Sequence, residues 1–110
     1  VLRLAGFRVS PAEIEARLQS HPSVEVAQVV GTQTAQGPRA VAFVTAAAGA
    51  AVDEAALRAH CRQGLAGYKV PVRVVRLDEF PTTPSANGSK IQRARLRTMA
   101  QALDAAGAGP

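Results

Sequence analysis

The chain has 110 residues, enough for one small domain with a modest core, and its 47% hydrophobic content excludes general disorder. The net charge of +5 and a pI near 10.7 favour an anionic partner such as phosphate, nucleic acid or an acidic surface. Four aromatics, Phe7, Phe43, Tyr68 and Phe80, supply a base-stacking platform poorly.

In chain order, Val1 to Leu4 and Phe7 to Val9 read as two short strands, with Ala5-Gly6 as the turn between them. Ser10-Pro11-Ala12-Glu13 is a helix start: Ser10 can cap the Glu13 amide, Glu13 can reach back, and Pro11 sits where no N–H is needed. Ile14 and Leu18 make that helix's buried stripe, and Pro22 ends it near His21. Val24 to Val30 and Arg39 to Thr45 read as antiparallel strands joined by a connection from Gly31 to Pro38. Asp53 caps a second helix, with Val52 and Leu57 as a hydrophobic staple and Leu57, Cys61 and Leu65 on the buried face. Gly64 and Gly67 punctuate its end, and Tyr68 to Pro71 is a short extended link. Val72 to Leu77 is a third strand. Pro81 to Ser89, rich in proline, hydroxyls and an Asn-Gly step, reads as a mobile loop. Ile91 to Leu103 makes the last helix, with Leu96, Met99, Ala100 and Leu103 on its apolar side. The fold class is therefore α+β: a small three-stranded sheet flanked by helices, with an N-terminal β-hairpin. Residues 1–103 form the domain and residues 104–110 a flexible tail.

No catalytic set assembles from this chain alone. His21 and His60 have no metal-ligand partner at helical spacing and read as ordinary histidines, and no metal site is expected. Gly88-Ser89-Lys90 lacks the first glycine of a phosphate loop, because Pro84 stands there. Cys61 is the only cysteine, which rules out an internal disulfide, suits a reducing, cytoplasmic compartment, and reads as a small core residue. No apolar run approaches the roughly 20 residues of a membrane span, and no signal peptide is visible. The chain begins at Val1 inside a strand pattern, as a piece of a longer protein would. Two places remain. Lys90 sits at the joint between the Pro81–Ser89 loop and the last helix, so a loop could carry its ammonium to a partner surface. Gly6 permits a tight turn or close backbone approach, and Arg3, Phe7 and Arg8 crowd the same tip.

At these two places the sequence resembles a known family. GFRVSPAEIE, then GYKVP, then FPTTPSANGSKIQR, are similar in wording, order and separation to the C-terminal domain of the ANL superfamily of adenylate-forming enzymes, across roughly Val1 to Leu103. That superfamily holds acyl- and aryl-CoA synthetases, peptide-synthetase adenylation domains and beetle luciferases. The resemblance implies the mobile lid domain of an ATP-dependent acyl-CoA synthetase. Carboxylate and ATP give an acyl-adenylate and pyrophosphate; the thiol of CoA then takes the acyl group. ATP, Mg²⁺ and the carboxylic acid would be bound mainly by the chain's own N-terminal adenylation domain, absent here, so this piece alone would be inactive.

The same resemblance implies residue roles. Lys90 matches the adenylation lysine of the Gly-Lys-Ile-x-Arg motif. Gly6 and Phe7 match the turn that shapes the pantetheine tunnel. Arg3 and Arg8 match positions near nucleotide phosphates, and Arg62 and Lys69 match by charge and rough location as contacts for the CoA phosphates. One departure stands out: Pro81 to Lys90 is three residues longer than the family's P-x-T-x-x-G-K, and Ser89 separates Gly88 from Lys90. CoA is expected over a carrier-protein thiol, because GFRVSPAEIE resembles the family's CoA ligases and no carrier sequence follows residue 110. The alternatives are a lid that loads a carrier protein and a basic nucleic-acid-binding module using Lys90, Arg93, Arg95 and Arg97; the first reading carries no nucleic acid. The family also implies a regulatory possibility, acetylation of Lys90.

Overall fold

The run Ala40-Val41-Ala42-Phe43-Val44 is apolar at every position, as a strand covered on both faces must be. The computed structural model describes residues 2–4, 6–35, 37–85 and 88–107, with residues 83–85, 88–90 and 104–107 described by their backbone alone. That run lies in strand β4 (Gly37–Ala46), between β3 (Val24–Thr34), antiparallel to it, and β5 (Arg73–Arg76), parallel to it. Ala40, Ala42 and Val44 face one core, shared with Ile14 and Leu18 of α1 (Pro11–Gln19) and Leu57 and Cys61 of α2 (Glu54–Gly64). Val41 and Phe43 face a second core with Leu96 and Ala100 of α3 (Arg93–Gly107). The small alanines of β4 let two helices approach one face, and Phe43 fills the space under the single helix opposite.

β1 (Leu2–Leu4) and β2 (Phe7–Val9) form the expected hairpin; Ala5 and Val1 lie outside the described residues. Leu4 and Val9 root it in the first core.

Four expectations are corrected. First, Pro81 to Ser89 is not a loop leading straight into a helix. β6 (Thr82–Ser85) pairs with β7 (Gly88–Ile91) in an antiparallel two-stranded ribbon. Ser85 pairs with Gly88, and Ala86 and Asn87 lie outside the described residues. β-branched Thr82 and Thr83 favour the strand, and Pro84 is tolerated because both strands of such a ribbon are edges. Ile91 therefore ends a strand, and α3 begins at Arg93. The helix runs past Leu103 to Gly107, through alanines of high helix propensity; the expected tail's last residues, 108–110, lie outside the described residues. Second, β3 does not stop at Val30. Gly31 to Thr34 stay in the ladder, because buried Thr32 and Gln33 are held by Gln101. Pro38 is accommodated because β5 covers β4 only from Val41 to Val44.

Third, Ser10 occupies the N-cap of α1 but makes no side-chain cap bond; only its carbonyl accepts, from Glu13 N at 3.2 Å. The Glu13 carboxylate instead takes the Lys69 ammonium at 3.0 Å. Fourth, the Tyr68–Pro71 link is not extended throughout, since Gly67–Lys69 is a turn of 3₁₀ helix. The Asp53 cap is as expected: its Oδ1 accepts from Ala55 N at 3.0 Å and Ala56 N at 3.3 Å.

The contrast between the two caps gives a test by chemical denaturation. Asp53→Ala should cost about 1 kcal/mol of stability, the usual value of a bonded N-cap, whereas Ser10→Ala should leave stability unchanged; equal losses would contradict this account.

Candidate functional site

The β1–β2 hairpin is built so that its tip carries exposed groups. Gly6 has φ of +82°, in the left-handed region that side-chain-bearing residues avoid. A Cβ at Gly6 would meet nothing within 4 Å, so the conformation, not crowding inside this chain, requires glycine. Leu4 and Phe7 are paired across the turn, yet Leu4 is fully buried while Phe7 is 57% exposed. Phe7 is held by stacking on Tyr68, with ring centroids 4.9 Å apart at 27°. The Lys69 ammonium lies 5.8 Å from the Tyr68 ring centroid. Its bond to Glu13, working against partial desolvation, raises its pKa above the ordinary lysine value.

On the other face of the hairpin, Arg3 and Arg8 are directly opposite one another and exposed. Like charges in a cross-strand pair are destabilising, so sequence selection for folding alone would not place them there. The structure thus gathers Phe7, Tyr68 and Lys69 into one patch and Arg3 and Arg8 into a pair. Arg62 stands exposed in the last turn of α2. Lys90 belongs to a separate sheet, the β6–β7 ribbon, where its backbone pairs with Thr83; its side chain lies outside the described residues.

Two features escaped the sequence reading. One is the bonding of Arg93, the first residue of α3, which the sequence offered only as the motif's arginine and as part of a basic module. Its Nη1 donates to Gln28 Oε1 at 2.6 Å and its Nη2 to the Val29 carbonyl at 2.6 Å. Both nitrogens also face Glu15 Oε2, at 3.4 and 3.5 Å, and that oxygen accepts from Val29 N at 2.8 Å. The other is the histidine pair, which packs edge to face with centroids 5.1 Å apart. His60 Nε2 donates to the Arg17 carbonyl at 3.1 Å and lies 2.8 Å from Ser20 Oγ, while Arg17 Nε donates back to the His60 carbonyl at 2.9 Å. His21 Nδ1 lies 2.8 Å from Ser23 Oγ. Burial, then the charges of Arg17 and His21, hold the His60 pKa below its ordinary value. These contacts lock the end of α1 to α2. Burial likewise pushes the Cys61 thiol up. Among the described residues no group of three or more His, Cys, Asp or Glu could hold a metal ion, and no helix is long and apolar enough to cross a membrane.

The described residues thus form a three-stranded mixed sheet between three helices, with two attached hairpins. Residues 13–87 match the AMP-binding enzyme C-terminal domain. A 2-succinylbenzoate–CoA ligase of Geobacillus kaustophilus is 46% identical over 95 residues, 86% of this chain and 19% of that protein. A dimodular nonribosomal peptide synthase of Bacillus subtilis is 38% identical over 84 residues, 76% of this chain and 4% of its own length. The crystal structure of ATP-bound MatB from Rhodopseudomonas palustris superposes with a TM-score of 0.84 at 29% identity, covering 94% of this chain and 20% of that one. The chain belongs to the AMP-binding enzyme C-terminal domain family, the small domain of the ANL adenylate-forming enzymes. It spans about a fifth of the length of the CoA ligase it matches, and the family match itself ends before Lys90 and begins after Gly6.

The depressed His60 pKa sets the sign of a pH effect. The folded state resists a proton that the unfolded chain accepts, so this contribution is present above the ordinary histidine value of 6.5 and is lost as pH falls below it. Thermal melts should therefore show a steeper acid-side loss of stability in the wild type than in His60→Gln; identical slopes between about pH 5 and 7 would contradict this assignment.

Proposed function

We propose that this chain is the mobile C-terminal domain of an ATP-dependent acyl-CoA synthetase, acting in two successive orientations on the site of its own N-terminal adenylation domain. The observation that carries the reading is the hairpin tip: a glycine at positive φ presenting an exposed, stacked Phe7 on one face and a cross-strand arginine pair on the other. An exposed aromatic and cations on one hairpin fit a surface that closes over a ligand with an apolar arm and phosphates, as CoA has.

In the first orientation a carboxylate oxygen attacks the α-phosphorus of ATP, the bond to the bridging oxygen breaks, and pyrophosphate leaves. The Lys90 ammonium contacts the carboxylate and α-phosphate oxygens and offsets the charge that builds there. In the second, the thiol sulfur attacks the acyl carbonyl, its proton is lost, and AMP departs with the bonding pair. Gly6 and Phe7 then line the path of the pantetheine arm. Arg3 and Arg8 lie nearest the nucleotide phosphates. Lys69 is engaged by Glu13, so exposed Arg62 is the stronger candidate for the CoA phosphates. Mg²⁺, most of the ATP contacts and the acid pocket belong to the adenylation domain.

A second reading is favoured by the peptide-synthase relative: the thiol could belong to a carrier protein. Comparing the full-length enzyme with free CoA and with a phosphopantetheinylated carrier separates the two, and the first reading predicts turnover with free CoA.

In the full-length enzyme, Lys90→Ala should abolish acyl-adenylate formation, assayed by ATP–pyrophosphate exchange, and largely spare thioester formation from supplied acyl-adenylate. Equal loss of both steps would sink the role given to Lys90. Gly6→Val should do the reverse and slow mainly thioester formation. The added Cβ meets nothing within 4 Å in this domain and the strain of the positive φ is local to the turn, so a thermal melt of the variant separates a folding loss from a tunnel effect, and an unchanged thioester rate would place the tunnel elsewhere.

A further inference from the structure

We infer that Arg93 is a positioning residue for Lys90, holding the β6–β7 ribbon in register with the rest of the domain so that the lysine arrives correctly placed for adenylation. This rests on the assignment of Lys90 proposed above. The two hairpins are rooted differently. A lone two-stranded ribbon is marginal in water and takes its position from its attachment. The β1–β2 hairpin is rooted by Leu4 and Val9 in the core between the sheet and α1 and α2. The β6–β7 ribbon has a narrower base. Gln92 N donates to the Pro81 carbonyl at 2.8 Å, closing its neck, and Phe80 and Ile91 pack against the second core under α3.

Immediately after that neck comes Arg93, three residues from Lys90. Its guanidinium ties the first turn of α3 to three acceptors on two other elements, Gln28 Oε1 and the Val29 carbonyl of β3 and Glu15 Oε2 of α1. The planar fork is what lets one side chain reach Gln28 and Val29 at once; a lysine reaches one of them. Arg93 is only partly exposed and Glu15 less so. A shift of the neck and the start of α3 relative to the sheet must therefore break this set of bonds, while the β1–β2 hairpin shares none of them. The consequence is asymmetric: loosening Arg93 degrades the step that uses Lys90 and spares the step that uses Gly6 and Phe7.

The test is made on the full-length enzyme with Arg93→Met, Arg93→Lys, Glu15→Gln, Lys90→Ala, the Lys90→Ala/Arg93→Met pair, and Gln101→Ala. The last removes the Gln101 bonds to Thr32 and Gln33, about two turns along α3 from Arg93, and controls for general loosening of that helix. Arg93→Met should lower kcat for pyrophosphate exchange by about 100-fold, the cost of an ångström-scale misplacement. Thioester formation from supplied acyl-adenylate should change by less than about threefold. Arg93→Lys and Glu15→Gln should give the same split with smaller losses, which keeps the test open if Arg93→Met folds poorly. Gln101→Ala should leave both steps unchanged. Whatever residual exchange Lys90→Ala retains should not fall further on adding Arg93→Met. Equal loss of both half-reactions, additive loss in the double variant, or a wild-type exchange rate in Arg93→Met while Lys90→Ala is dead would each overturn the role of Arg93 alone. A Lys90→Ala enzyme that still exchanges pyrophosphate would overturn the assignment of Lys90 beneath it.

Discussion

A three-stranded sheet has two open edges, and in this domain each is closed by a glutamate from a helix. On the β3 edge, Glu15 of α1 accepts the Val29 N–H, and Arg93 satisfies the Val29 carbonyl. On the β5 edge, Glu54 of α2 accepts the Val74 N–H at 2.8 Å and pairs with Arg73 at 2.7 Å. Burial works against the charge of Glu54, but Arg73, the Val74 amide and Arg58 outweigh it and hold its pKa below the ordinary carboxylate value. Gln19 and Gln101 extend the closure, accepting from Ala27 N at 2.9 Å and Gln33 N at 3.2 Å. Unpaired edge groups invite pairing with other chains, and these side chains occupy them. They also fix where the helices sit. α1, α2 and α3 are each tied to a strand backbone, so the sheet and the three helices form one body from which the two hairpins extend.

That body explains the division of labour proposed for the domain. Its two small hairpins are rooted differently, one in the apolar core through Leu4 and Val9 and the other through a neck at Pro81 and Gln92 followed by the Arg93 bonds. A lid that serves two reaction steps needs two presenting elements whose positions do not depend on each other. Independent roots supply that. The cross-strand Arg3–Arg8 pair costs the isolated domain something, and Phe7, although stacked on Tyr68, remains more than half exposed. In the proposed reading their use comes from the closed enzyme.

Much of the fold was legible in the residues because its signals are local. Pro22 ended α1, Asp53 capped α2, and Arg39 to Thr45 read as a strand antiparallel to the one before it. What failed to show was set by distant contacts. Ser10 and Glu13 spell a capping box, but Lys69, 56 residues away, takes the glutamate. Gly31 to Thr34 looks like a turn until Gln101, 68 residues on, holds Gln33 in the ladder. The Thr82–Ile91 ribbon was hidden by its own turn chemistry: Pro84 and Asn87-Gly88 read as a loop, although they also suit an edge strand and a tight reversal. Of the candidate site, the glycine turn and its exposed aromatic were visible from Gly6-Phe7. The Tyr68 ring that supports Phe7 was not, since nothing in the spacing links residues 7 and 68.

In the proposed reading the hairpin tip meets the adenylation domain only in the thioester-forming orientation. Replacing Phe7 of the full-length enzyme with a photo-crosslinking phenylalanine measures this directly. The account predicts strong crosslinking to the adenylation domain when a stable acyl-adenylate analogue and CoA are bound, and little when only ATP and an unreactive acid analogue are present. Crosslinking of equal extent in both states would contradict it.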